Sequence, residues 1–173
     1  MAAKIAEVMT DRPRAVSADT SIREAARLMD EEDVGSLPIV AEGARLTGIV
    51  TDRDIAVRAV GRGLDPDQTS VSEIASEEVY VLTPDDDLDD ALATMARAQV
   101  RRLPIVVGEN ELVGMVSQAD IARASNEKST GEVVEAISRP PRGPRVAGVD
   151  VGSGSPAART EADAEREERR SDD

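Results

Sequence analysis

Leu37-Pro38-Ile39-Val40 and the following Gly48-Ile49-Val50-Thr51-Asp52-Arg53-Asp54-Ile55-Ala56 decide how this chain folds, because both stretches occur twice. They return, 66 positions later and without a gap, as Leu103-Pro104-Ile105-Val106 and as Gly114-Met115-Val116-Ser117 followed by Asp120-Ile121-Ala122. The same shift carries Val8 onto Ile74, Thr10 onto Ser76, Asp19 onto Asp85, Ile22 onto Leu88, Ala25 onto Ala91, Met29 onto Met95 and Val34 onto Val100. Chance does not give an ungapped match of this length, so the chain duplicates one structural unit.

Within the first copy, Ala15-Val16 reads as a short strand. Asp19-Thr20-Ser21 supplies a helix N-cap, with Ser21-x-x-Glu24 as a capping box. Ile22, Ala25, Ala26 and Met29 recur at helical spacing up to about Glu32. Leu37–Ala41 and Arg45–Val50 read as a hairpin around Glu42-Gly43-Ala44, and a second helix is expected from Asp52 to Val60, stopping at Gly61. The second copy repeats the order with Tyr80–Leu82, Leu88–Ala98, Leu103–Val107, a turn at Gly108-Glu109-Asn110, Leu112–Val116 and Gln118–Ala124. Either unit alone has a small core and a bare sheet face. An α/β (α+β) fold follows, of two β-α-β-β-α repeats packed sheet to sheet about a pseudo-twofold axis.

The expected division is residues 1–66 for the first repeat, 67–138 for the second with a closing helix at Val133, Val134 and Ile137, and 139–173 for a disordered tail rich in Pro, Gly, Ser and charge. The chain has 173 residues and a formal charge of −14. Its tail holds 7 basic and 8 acidic residues, which leaves 14 against 27 in residues 1–138, so the acidity belongs to the duplicated module. Such a chain lacks the basic footprint of a protein that binds nucleic-acid polymers. No apolar run approaches the roughly 18 residues of a membrane span, so the expected setting is the cytoplasm. His, Cys, Trp and Phe are all absent, which removes imidazole and thiol catalysis and the Cys/His metal cage. No catalytic or metal-binding residue is assigned.

Gly48-x-x-Thr51-x-x-Asp54 and Gly114-x-x-Ser117-x-x-Asp120 carry the chemistry that remains. Each sits where a strand turns into a helix. Hydroxyl at the cap and carboxylate in the first turn have the spacing of a capping box, which is one reading. That reading does not explain the glycine three residues earlier. In the other, the helix start receives a phosphate near Thr51 or Ser117, and Asp54 and Asp120 accept hydrogen bonds from a ribose diol. Asp85-Asp86-Asp87 lacks calcium-loop spacing, and Gly61-Arg62-Gly63 lacks the rest of a dinucleotide fingerprint.

Two units of this order, each with Leu-Pro-Ile-Val and then Gly-x-x-Thr/Ser-x-x-Asp, resemble a tandem pair of cystathionine-beta-synthase (CBS) domains, the Bateman module, over about residues 4–125. Gly48–Ile55, Gly63-Leu64-Asp65-Pro66 and Val100–Pro104 are most similar to small stand-alone bacterial pairs of that family. The resemblance implies a regulatory, non-catalytic sensor of an adenine nucleotide or S-adenosylmethionine, bound in two clefts between the repeats with no required cofactor. It further implies a homodimer and a separate effector protein. Carried over by motif, Asp54 and Asp120 hold ribose, and Thr51 and Ser117 touch ribose or phosphate. Thr10 and Ser76 line the clefts from the opposite repeat, and Gly35-Ser36-Leu37 and Arg101-Arg102-Leu103 border the base and phosphate. Arg101-Arg102 replaces Gly35-Ser36, so only the second repeat brings guanidiniums to that rim. Those arginines read either as phosphate contacts, Arg102 first, or as surface ion pairs worth about 0–1 kcal/mol. Arg53, Arg58 and Arg123 read as solvated helix residues. The rival to the sensor is a ligand-independent scaffold whose caps are purely structural.

Overall fold

In each repeat an amphipathic helix and a hairpin share one apolar core. The computed structural model describes residues 3–76 and 78–124; the closing helix and the tail expected beyond Ala124 lie outside them. Ser21 caps the first helix, α1 (Ile22–Glu31), by accepting from the Glu24 amide, and Ile22, Ala25, Leu28 and Met29 face inward. Strands β2 (Ser36–Val40) and β3 (Leu46–Thr51) form an antiparallel hairpin, in register from Ser36 opposite Thr51. In the second repeat α3 (Leu88–Ala98) precedes β4 (Arg102–Val107) and β5 (Glu111–Ser117), with Arg102 opposite Ser117, and α4 (Gln118–Ala124) follows. Both hairpins carry an irregularity at the matched steps Ile39/Val40 and Ile105/Val106.

The opening strand expected in each repeat is reduced to a single residue. Val16 pairs in parallel with Ile39, and Leu82 with Ile105. The Val16 amide donates to Pro38 O and the Val40 amide to Val16 O; Leu82 does the same with Pro104 and Val106. Extending either ladder backwards would require an N–H from Pro38 or Pro104, and proline has none.

The second helix of the first repeat also departs from expectation. It begins as α2 (Asp52–Asp54), widens into a π turn over Ile55–Ala59 and tightens to 3₁₀ over Val60–Arg62. The Val60 amide reaches Ile55 O as well as Ala56 O. The stop is Gly63 instead of Gly61: its φ of 67° is the left-handed value glycine tolerates, and the amides of Gly63 and Leu64 return to Val60 O and Ala59 O.

Two short 3₁₀ turns, Ile5–Glu7 and Val71–Glu73, cross between the repeats. Ile5 is fully buried with Leu82, Leu88, Met95, Leu103, Ile105, Val116 and Ile121, the core of the second repeat. Val71 and Ile74 are buried with Val16, Ile22, Leu37 and Val50, the core of the first. Backbone bonds fix both exchanges: Ile5 to Asp86 O and Ala6 to Pro84 O on one side, Val71 to Thr20 O and Ser72 to Ala18 O on the other. The strand ends follow. β1 (Thr10–Asp11) adds to β5, giving a sheet of order β1-β5-β4, and Ser76 bridges to Ile49 on β3.

The hairpins meet at a third cluster, where Leu46, Val79, Val106 and Leu112 are buried beside Ala15, Val40, Ile49 and Val81. Asn110 ties the hairpin ends together: its carbonyl accepts from the Leu46 amide at 2.9 Å, and its side-chain amide donates to Leu46 O at 2.8 Å. The duplication is thus realised as two interlocked halves.

Candidate functional site

Both Gly-x-x-Thr/Ser-x-x-Asp segments form the same closed cap at a strand-to-helix junction. Thr51 Oγ1 accepts from the Asp54 amide at 3.1 Å and donates to Asp54 Oδ2 at 2.6 Å, and the Thr51 amide donates to that same Oδ2 at 3.0 Å. In the second repeat the Ser117 hydroxyl and amide donate to Asp120 Oδ2 at 2.5 and 2.8 Å, and the Asp120 amide donates to Ser117 Oγ at 3.2 Å. The capping-box reading is realised at both positions. It consumes one oxygen of each aspartate and leaves Oδ1 for other partners.

The glycines are explained by the exchanged segments. A Cβ on Gly48 would stand 3.3 Å from Ser76 O, and one on Gly114 would stand 2.7 Å from Met9 Sδ and 3.3 Å from Thr10 O. Each glycine lets the backbone of the other repeat lie against the strand that leads into the cap. Thr10 and Ser76 are brought to the ends of β5 and β3 by this packing, opposite Met115 and Ile49, each two residues before a capping hydroxyl.

What surrounds Oδ1 differs between the repeats. At the first, Arg58 Nη1 lies 3.4 Å from Asp54 Oδ1 and donates to Ile74 O at 2.6 Å and to Ala75 O at 3.2 Å. Its side chain is 34% exposed, so the solvated arginine expected at position 58 is instead a bridge between the helix and the exchanged segment. It lies in the π turn, four residues beyond Asp54. At the second, Arg123 donates to Asp120 Oδ1 from a side chain that is 74% exposed. Burial alone would raise the Asp120 pKa. The hydrogen bonds from Ser117 and the neighbouring Arg123 guanidinium outweigh it and hold the carboxyl below the usual carboxylate range.

An open depression of about 290 Å³ adjoins Asp120, lined by Val8, Arg123 and Ala124. Val8 comes from the first repeat's sequence and the other three from the second, so this cleft lies where the repeats meet. Arg102 is half-buried and Arg101 exposed at the start of β4, with Arg102 opposite Ser117; among the described residues neither forms an ion pair. Ser36, the counterpart of Arg102, has a buried Oγ with no hydrogen-bond partner among the described residues. Leaving such a group unpaired costs about 1–3 kcal/mol. Arg58 and Ser36's orphan hydroxyl are the features sequence reasoning could not grade. The signal for Arg58 was present as its i+4 spacing from Asp54.

The CBS-domain family model matches residues 5–61 and, again, 71–127. The chain belongs to the CBS-domain family. As a tandem CBS pair it is similar to the CBS domain-containing protein YhcV of Bacillus subtilis, 44% identical over 136 residues that cover 78% of this chain and 94% of YhcV. A crystal structure of Hypoxic Response Protein I, with two coordinated zinc ions, is 35% identical with a TM-score of 0.66, covering 72% of this chain and all of that one. The CBS pair of protein MJ0100, solved with 5′-methylthioadenosine and S-adenosyl-L-methionine, is 26% identical with a TM-score of 0.64, covering 72% of this chain and 96% of that one. The residues here do not suit zinc. The CBS pair has no His or Cys, and among its described residues no three carboxylates are placed to hold a metal ion. No helix among the described residues is long and apolar enough to cross a membrane.

Proposed function

We propose that this CBS pair is a regulatory, non-catalytic module that binds an adenosine-containing small molecule of the AMP, ADP, ATP or S-adenosylmethionine type, and relays its presence to a separate effector. One observation carries the reading: each motif aspartate spends Oδ2 on its own helix cap and turns Oδ1 to a guanidinium, Arg58 at the first and the exposed Arg123 at the second, and Asp120 borders an open depression lined from both repeats. A carboxylate fixed by its cap accepts a ribose hydroxyl once the exposed Arg123 guanidinium yields Oδ1. Arg102, with Arg101 beside it, supplies positive charge for phosphate on an otherwise acidic module. Ser117 positions the carboxylate, Thr10 stands at the rim, and Thr51, Asp54, Ser36 and Ser76 are the matching set in the first repeat. The adenosine ligands of the MJ0100 pair support the ligand class.

The exposed Val57 and Val60 on the helix after Asp54, 56% and 74% exposed, support assembly through that helix as a homodimer. A cytoplasmic setting and a role in a stress response belong to the same proposal. Melting curves with and without AMP, ADP, ATP and S-adenosylmethionine test it. A ligand at 100 times its Kd adds about 2.7 kcal/mol of stability, and Asp120→Ala removes that gain. An unmoved melting point with every ligand refutes the reading. The scaffold alternative is favoured by one fact: both caps close completely using protein groups alone.

A further inference from the structure

Arg58 and Ala124 occupy the same position in the two repeats, 66 residues apart, and they treat their clefts in opposite ways. Arg58 carries a guanidinium across the first junction, holding Asp54 Oδ1 and the carbonyls of Ile74 and Ala75. Ile74 is the counterpart of Val8. At the second junction Val8, Asp120, Arg123 and Ala124 line an open depression, and Ala124 presents only a methyl at the position equivalent to Arg58. Arg123, the cation on that side, comes from the preceding position, borders the depression and donates to Asp120 Oδ1 from a side chain that is 74% exposed.

We infer that Arg58 closes the first cleft and that Ala124 leaves the second open, so the chain takes one adenosine-type ligand per subunit, at Asp120. The inference rests on the ligand class proposed above and adds occupancy to it. A ligand entering the first cleft must displace a guanidinium from an ion pair with a carboxylate and from two charge-assisted hydrogen bonds to backbone carbonyls. A ligand entering the second displaces only an exposed ion pair, of the kind that contributes little. Charge points the same way. Arg101 and Arg102, at the start of β4 with Arg102 opposite Ser117, form no ion pair among the described residues where the first repeat has Gly35 and Ser36, so an anionic ligand is drawn to the second repeat's side.

The first cleft is nonetheless built. Thr51 and Asp54 hold the same geometry as Ser117 and Asp120, and Ser36 Oγ is buried opposite Thr51 in the strand register with no hydrogen-bond partner among the described residues. Removing the guanidinium is therefore expected to create a second working site. Stability is not expected to supply the difference, since Arg58→Met keeps the aliphatic stem that packs against the segment.

The test is ligand stoichiometry on the full chain, by titration calorimetry and native mass spectrometry, using AMP and S-adenosylmethionine as probes. The wild-type chain is expected to bind one probe molecule, lost on Asp120→Asn and retained on Asp54→Asn. Arg58→Ala and Arg58→Met are expected to bind two. Ala124→Arg is expected to weaken the wild-type site at least tenfold, a result that does not depend on Arg58 variants folding. Two molecules on the wild-type chain, one molecule lost on Asp54→Asn, or Arg58 variants that stay at one while folded by circular dichroism, each overturn the occupancy inference and leave the nucleotide reading standing. No binding by wild type and Arg58 variants alike overturns both.

Discussion

Gly114 and Met9 are packed so closely that a single added carbon on the glycine would sit 2.7 Å from the methionine sulfur. The contact joins the first repeat's N-terminal segment to the strand that ends in Ser117, and Gly48 makes the corresponding approach to Ser76 O at 3.3 Å. Gly114→Ala and Gly48→Ala are expected to destabilise the protein by about 1–3 kcal/mol, the usual cost of overpacking a filled site. Gly48→Ala has the less room for relief, because its neighbour is backbone while Met9 can turn its side chain. Urea unfolding midpoints at constant m-value check both, and an unchanged midpoint for Gly48→Ala contradicts the packing account.

Ile5 contributes to the core of the repeat it does not belong to by sequence, and Ile74 returns the exchange. Ile5→Ala and Ile74→Ala are each expected to cost about 2–5 kcal/mol, as for a buried large-to-small change. The form of the transition is the sharper readout. Because each core includes a residue from across the boundary, each variant is expected to unfold in one step, with far-ultraviolet dichroism and amide exchange losing both repeats together. Two separated transitions would show that the halves fold independently.

Asp120 gives the protein an acid-side dependence of known sign. Its folded pKa lies below the ordinary carboxylate value of about 3.9, so its stabilising contribution is complete above that value and is lost as pH falls through the lowered folded pKa. Asp120→Asn, which cannot ionise, is expected to flatten the corresponding part of the stability curve below about pH 4 while leaving the neutral region parallel to wild type. Ligand affinity is expected to fall in the same window, since protonation removes an acceptor. Urea midpoints measured from about pH 7 down to about pH 2 for both chains decide it.

The duplicated hairpins, the capped helices and the two aspartates were legible from the 66-residue repeat, because local periodicity and capping chemistry dictate them. The exchange was not. Ile5 and Val71 are equivalent in the repeat, so their apolar character fits burial in either core equally well, and sequence alone cannot say which partner each takes. The single-residue opening strands could have been read from Pro38 and Pro104, whose missing N–H groups end the parallel ladder. Arg58 resembled its neighbour Arg53 in composition. Its i+4 spacing from Asp54 is what separates this bridging guanidinium from that of Arg53, which directly precedes the aspartate. Occupancy of the two clefts therefore turns on one substitution, arginine against alanine, that the repeat alignment records without weighing.

The crossed 3₁₀ turns have a consequence for continuity of the chain. A cut near Asp65-Pro66 leaves one fragment carrying Ile5, which the other needs, and another carrying Val71 and Ile74, which the first needs. The two pieces hold complementary keys, so a nicked molecule is expected to stay a matched pair held by mutual insertion, the connecting peptide adding only effective concentration.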